Sequence, residues 1–62
     1  MTSLVYEISE ITITTITIYV YVPEGSGILM RHWTGFNLKD AIRNANRTLN
    51  YFGYCVEQEV QQ

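Results

Sequence analysis

One twelve-residue run largely decides what this chain can fold into. Every residue from position 11 to position 22 is β-branched or aromatic, and these residue types have the strongest preference for extended strands. The second half of the run alternates between two faces, one with Ile16, Ile18, Val20 and Val22 and the other with Thr15, Thr17, Tyr19 and Tyr21. This period of two predicts a central strand with its isoleucine and valine face buried.

The alternation changes phase at positions 14–15, because Ile11 and Ile13 fall on the opposite parity from Ile16. A shift of one residue turns every side chain to the other face, so we expect a bulge or a strand boundary there. A single straight strand over residues 4–22 would span roughly 60 Å, which is too long for so small a domain. The chain is therefore expected to bend.

Turn-forming residues follow the run. Pro23, Gly25 and Gly27 end the strand and predict a hairpin loop over residues 23–27. Residues 28–34 are then expected to return as the second strand.

The period changes to a helical one after Gly35. Asn37 is expected to be the N-cap, with Asp40 three residues later, and Gly53 is a natural stop. The pattern predicts a helix near residues 37–52 with an apolar stripe of Leu38, Ala41, Ile42, Ala45, Leu49 and Phe52. The solvent side of this helix is expected to hold Lys39, Arg43, Asn46, Arg47 and Asn50.

A third strand, over residues 54–60, completes the predicted fold. A helical connection makes it parallel to the second strand, and the right-handed crossover rule favours a place beside the first strand. We therefore predict an α+β fold in which residues 1–62 form a single ββαβ domain. Its three-stranded, mainly antiparallel sheet would have the order 2-1-3, with one helix packed on one face. The strand partner of residues 3–10 stays open.

Composition excludes several kinds of function. The chain has 62 residues, one cysteine, one histidine and a net charge of −2, so neither a disulfide framework nor a zinc site is expected. A Cys55–His32 pair lacks a catalytic partner, and no glycine-rich loop leads onto a helix. We expect no enzymatic activity, no cofactor and no metal. No signal peptide or membrane span is visible, which predicts a cytoplasmic protein.

Charge and parity together indicate where a partner would bind. The segment 31–47 carries a net charge of +3, and its helix presents the basic stripe Lys39, Arg43 and Arg47. Arg31 should prefer water, and its parity would then place Trp33 beside it on the sheet face away from the helix. The predicted partner-binding residues on that sheet face are Tyr19, Tyr21, Arg31, Trp33, Glu57 and Glu59.

Two segments resemble a pattern found in very small bacteriophage proteins. Residues 37–42 (NLKDAI) look like the opening of their capped helix, and residues 53–56 (GYCV) look like their closing Gly-aromatic-x-Val strand. A similar length and hairpin–helix–strand order occur in the small RNA polymerase inhibitors of T-odd coliphages. The resemblance covers roughly residues 16–60 and implies a compact phage protein that binds and blocks a host protein.

The last strand departs from that family. Its members use arginines there to grip the polymerase, whereas the matching positions, counted from Gly53, are Gln58 and Val60 with Glu59 between them. The polymerase-gripping residues are therefore missing.

Three functions follow from these patterns. The first is a non-enzymatic, protein-binding inhibitor from a phage or mobile element, acting in the host cytoplasm on an RNA polymerase, a nuclease or a CRISPR-type effector. The second is a homodimer or small homo-oligomeric structural protein that uses its open sheet face. The third, a nucleic-acid-binding module using the basic stripe, is less expected because the chain is acidic.

Overall fold

The computed structural model describes residues 1–57. Its elements are β1 (Thr2–Ser3), β2 (Tyr6–Ile11), β3 (Ile16–Val20), β4 (His32–Gly35), α1 (Leu38–Leu49), a 3₁₀ turn (Asn50–Phe52) and β5 (Tyr54–Cys55). An antiparallel sheet has the order β2-β3-β4, and β1 pairs with β5 in parallel. The predicted α+β class, with one helix and an antiparallel three-stranded sheet, is confirmed for this part of the chain.

The predicted break in the threonine-rich run is a tight hairpin. The Thr12 hydroxyl oxygen accepts hydrogen bonds from the backbone N–H groups of Thr14 (3.2 Å) and Thr15 (2.9 Å). The Thr12 backbone N–H in turn donates to the Thr15 carbonyl at 2.9 Å. Side-chain bonds of this kind stabilise a turn in place of a strand ladder. The strand boundary expected at positions 14–15 is therefore confirmed, and the run from 11 to 22 is divided between two strands.

The predicted sheet order 2-1-3 is not confirmed. The strand beside the central β3 is β2, whose Tyr6 lies opposite Val20 and whose Ile11 lies opposite Ile16. The expected third strand begins at Tyr54 as predicted, but β5 pairs with β1 instead. A hairpin forms between neighbouring segments at a low entropic cost, so β2 occupies the position that the crossover rule had favoured for the third strand.

The helix forms as predicted and packs through its apolar stripe. The Asn37 side chain caps it by accepting from the Asp40 N–H at 2.9 Å, and Gly53 ends the following 3₁₀ turn with a positive φ of 88°. The helix buries Ala41, Ile42, Ala45 and Leu49, whereas Leu38 is half-buried and Phe52 remains exposed at the rim. Its partners in the core are Ile18, Val20, Val22, Ile28, Trp33 and Val56.

Trp33 belongs to this core, so its predicted place on the outer sheet face is wrong. Its side chain is only 7 % exposed, and in the strand register it lies opposite Ile18, which faces the helix. Alternation places Arg31 on the same side as Trp33, as predicted. That side is the inner one. Arg31 is half-buried there because its guanidinium donates to the Val22 carbonyl at 2.9 Å. A long side chain with a backbone acceptor need not point into water.

The helix also holds the segment after β5. The Asn46 side-chain amide donates to the Val56 carbonyl at 3.0 Å, and its oxygen accepts from the Val56 N–H at 2.8 Å. This pair of bonds satisfies both backbone groups of a residue that is 2 % exposed. The prediction that Asn46 lies on the solvent side is therefore wrong, since the side chain is half-buried and acts as a strand partner.

We expect Asn46→Ala to cost about 1–3 kcal/mol of unfolding free energy, because it leaves two buried backbone groups unpaired. Urea denaturation followed by circular dichroism measures the loss. Asn50→Ala is the control, because Asn50 is exposed on the turn after the helix. Equal stability of the two variants would show that the Asn46–Val56 bonds contribute little.

Candidate protein-interaction face

The sheet face opposite α1 carries a cluster of three aromatic rings. Tyr19 lies at its centre, with its ring centroid 4.8 Å from that of Tyr21 and 5.0 Å from that of His32. Both contacts are edge-to-face, with interplanar angles of 79° and 64°. This geometry is attractive between rings and restrains the rotation of each side chain. The cluster is therefore a preformed aromatic surface on β3, the residue directly after it, and β4.

An acidic group completes one side of the cluster. The Tyr21 hydroxyl donates a 2.6 Å hydrogen bond to the Glu7 carboxylate on β2. This hydrogen bond is the main reason why the pKa of Tyr21 is raised above its ordinary value, since the bond and the negative charge both favour the protonated phenol. Glu7 thereby fixes the position of a tyrosine that is 49 % exposed.

The raised pKa leads to a prediction about Tyr21. The Glu7 contact stabilises the folded state while the phenol is protonated, and this contribution is lost as the pH rises through the folded-state pKa, above about 10. Glu7→Gln should therefore lower the pKa of Tyr21. Titration of the ¹³Cζ signal of Tyr21 by NMR measures it, with the Tyr51 signal, from the 3₁₀ turn, as the internal reference. An unchanged Tyr21 pKa in this variant would contradict the assigned contact.

Hydroxyl groups continue the outer face toward the β2–β3 hairpin. The Thr17 and Thr34 hydroxyls are 2.8 Å apart across β3 and β4, and the Ser9 hydroxyl donates to the Thr17 carbonyl at 3.3 Å. A strand irregularity between Ile8 and Glu10 sets this register and places Glu10 opposite Thr17. The face is thus aromatic at one end and hydroxyl-rich at the other.

The two sides of the molecule differ in charge. Glu7 and Glu10 lie opposite Tyr19 and Thr17 on the outer face. The predicted basic stripe lies on α1, where all three of its side chains are exposed: Lys39, Arg43 and Arg47. Arg43 forms an ion pair with Asp40 one turn earlier, which reduces the positive charge available to a partner. The outer sheet face is therefore the more acidic one, and the helix surface is the more basic one.

The predicted partner-binding residues thus divide into separate places. Tyr19 and Tyr21 come together on the outer face, whereas Trp33 and Arg31 lie on the inner one. Glu57 is exposed just after the buried Val56. Glu59 lies outside the described residues, as do Gln58 and Val60.

Sequence patterns missed His32 and Glu7 as members of the cluster. When the parity of β4 is assigned from Arg31, His32 alternates with Arg31 and Trp33 and falls on the predicted inner face. Glu7 could not be placed because the strand partner of residues 3–10 was unknown. The sequence signal for Glu7 is the alternation of Tyr6, Glu7 and Ile8. It matches the alternation of the β3 residues opposite them.

Cys55 and His32 are the residues with reactive side chains. The Cys55 sulfur is free and lies 3.6 Å from the Ser3 hydroxyl, whereas the His32 ring lies edge-to-face against Tyr19. Among residues 1–57, no three histidine, cysteine, aspartate or glutamate side chains are grouped so that they could hold a metal ion. In the same part of the chain, no helix has the length and apolar character needed to cross a membrane.

A shallow depression of about 370 Å³ lies at the opposite end of the sheet from the aromatic cluster, beside the start of α1. Its wall includes Phe36, which is 81 % exposed, and the Asp40–Arg43 ion pair. Because these two charges neutralise each other, the depression offers an apolar wall with little net charge to a ligand.

Comparison with known proteins adds no relative. No protein-family model matches the chain, and no curated protein or solved structure is significantly similar to it.

Proposed function

We propose that this protein is a non-enzymatic binding domain whose outer sheet face binds another protein. The observation that carries the proposal is the edge-to-face cluster of Tyr19, Tyr21 and His32, which the helix leaves uncovered. Tyrosine is enriched among the residues that dominate binding energy at protein interfaces. A cluster of restrained rings loses little side-chain entropy when a partner covers it, which favours binding.

The biological role that we propose is inhibition of a host protein. The resemblance of residues 37–42 and 53–56 to small bacteriophage inhibitors supports it, as does the chain's small size. The protein would act in the host cytoplasm without a cofactor, by covering a surface that its target needs. The proposed target is an RNA polymerase, a nuclease or a CRISPR-type effector.

Two other functions remain as alternatives. The same outer face could pair with a second copy of the chain, since exposed aromatic surfaces also form homodimers. A nucleic acid could contact the basic stripe on α1, although the Asp40–Arg43 ion pair weakens that proposal. Sedimentation at several concentrations tests the first alternative, and binding to DNA and RNA at two salt concentrations tests the second.

We expect Tyr21→Ala to reduce binding to the partner by about 2 kcal/mol or more, which is the scale of an interface hot spot. Affinity capture from a lysate of the candidate host, followed by calorimetry with the captured protein, measures the change. Tyr51→Ala is the matched control, because Tyr51 is 86 % exposed on the 3₁₀ turn and outside the cluster. Equal affinity of Tyr21→Ala and the wild-type protein would refute the proposed face.

A further inference from the structure

The β2 strand has an edge without a partner strand among residues 1–57. The Val5 carbonyl accepts from the Tyr21 N–H on one side, and the Leu4 N–H donates to the Cys55 carbonyl on the other. Because backbone groups alternate in direction along a strand, those of Tyr6 and Ile8 point to the side of Leu4, away from β3. Within residues 1–57, β5 ends at Cys55 and no strand pairs with the backbone donors and acceptors of Tyr6 and Ile8 on this side.

The inner face of the same edge is apolar and only partly covered. Within the described residues α1 packs against β3, β4 and β5, but no Cα atom of α1 lies within 8 Å of one in β2. Ile8 and Ile11 share the inner face with Ile18 and Ile16, but they are 44 % and 67 % exposed. An exposed edge with apolar side chains on one face is the kind of surface to which extended segments add.

The outer face of this edge is acidic. Glu7 and Glu10 lie on it, and residues 1–30 contain no lysine or arginine. Glu57 lies two residues after β5 and lines a depression of about 340 Å³ together with Val5 and Tyr6. The edge of β2 therefore has an apolar side and a negatively charged side.

We propose that this edge binds an extended segment of a partner protein in which basic and apolar residues alternate. The segment would add to β2 as a further strand and form hydrogen bonds with the backbone of Tyr6 and Ile8. Its apolar side chains would cover Ile8 and Ile11, and its lysine or arginine side chains would lie beside the glutamates.

Charge favours such a segment over a second copy of this chain. If two β2 strands paired edge to edge, Glu7 and Glu10 of both copies would lie on the same side of the joined sheet. Like charges on neighbouring strands are destabilising. A basic segment removes this repulsion and adds attraction, so the occupant is a different chain.

The inference rests on the proposed function in one respect, namely that the partner is a protein. It concerns a neighbouring surface that shares Glu7 with the aromatic cluster but binds through the backbone groups of Tyr6 and Ile8. The two proposals can therefore fail independently. Loss of edge binding leaves the Tyr21→Ala result unaffected, and an inactive aromatic face leaves edge binding in place.

The probe is a synthetic peptide of alternating lysine and valine, acetyl-KVKVKVK-amide, added to the full-length protein. The comparison peptides are acetyl-EVEVEVE-amide and the lysine peptide with N-methylated valines, which cannot donate backbone hydrogen bonds from those positions. ¹H–¹⁵N NMR spectra should show shifts along residues 5–11 with the lysine peptide, and slowed amide exchange at Tyr6 and Ile8. Both comparison peptides should bind at least about tenfold more weakly.

Ile8→Lys should weaken binding of the lysine peptide at least about fivefold, because it removes apolar contact and adds a like charge. Ile13→Lys is the matched control, because Ile13 is fully exposed in the β2–β3 turn and lies outside the strand. Glu10→Lys provides a second, purely electrostatic test at an exposed position. Equal binding of the lysine and glutamate peptides, shifts located outside β2, or no effect of both Ile8→Lys and Glu10→Lys would overturn the proposal.

Discussion

Gly35→Ala should prevent this protein from folding or cost it more than about 3 kcal/mol of unfolding free energy. Gly35 is buried at the end of β4, where α1 begins against the strand. A Cβ atom there would lie 2.6 Å from the Asp40 carbonyl carbon and closer still to the Ala41 nitrogen. Both are backbone atoms, so they can yield only if the whole helix moves away from the sheet.

Such a movement would open the core of a domain with little stability to lose. A chain of 62 residues is typically stable by about 3–9 kcal/mol. Thermal unfolding followed by circular dichroism measures the loss. Gly25→Ala is the control, because a Cβ there meets nothing within 4 Å and only the positive φ of 81° opposes it. It should cost about 1 kcal/mol, and an equal loss in both variants would contradict the close approach at Gly35.

Trp33→Ala should cost roughly 3–5 kcal/mol, the range observed when a large aromatic side chain is removed from a core. Trp33 is 7 % exposed and packs in the cluster formed by β3, β4 and α1. Any loss of binding in this variant would therefore follow from unfolding, because Trp33 is not part of the outer face. Trp33→Phe should retain more of the stability, since it keeps an aromatic ring in the same place.

Fluorescence gives an independent measurement for Trp33. The protein contains a single tryptophan, so its emission reports one environment. We expect blue-shifted emission that resists quenching by iodide and shifts to the red on unfolding in urea. Red-shifted, readily quenched emission from the folded protein would place the indole in water and contradict the core assignment.

The distribution of charge bears on how partners approach. The acidic groups Glu7 and Glu10 lie on the sheet side, and the exposed basic groups of α1 lie on the helix side. Complementary charge affects the rate and orientation of association more than the final affinity. A basic partner would therefore be oriented toward the sheet side, where both the aromatic cluster and the edge of β2 are located.

The sequence alone determined the elements whose signals are local. The phase change at positions 14–15 marked a strand boundary, and the stripe through Ala41, Ile42 and Ala45 gave the helix its buried face. Asn37 caps the start of the helix, and Gly53 ends the 3₁₀ turn that follows it. These features depend on residues within a few positions of one another, where backbone preference and side-chain period are sufficient.

The pairing of the strands and the buried face of β4 depend on contacts between distant parts of the chain. Either an early or a late segment of the chain could pair with β3 as its second neighbour. The folded structure shows that β2 is that neighbour. The charge of Arg31 predicts a place in water, yet the Val22 carbonyl accepts a hydrogen bond from it, and Trp33 on the same side is buried. Asn46 likewise bonds to Val56, ten residues along the chain. Such contacts join groups distant in sequence, and periodicity cannot reveal a hydrogen-bond acceptor that only folding brings near.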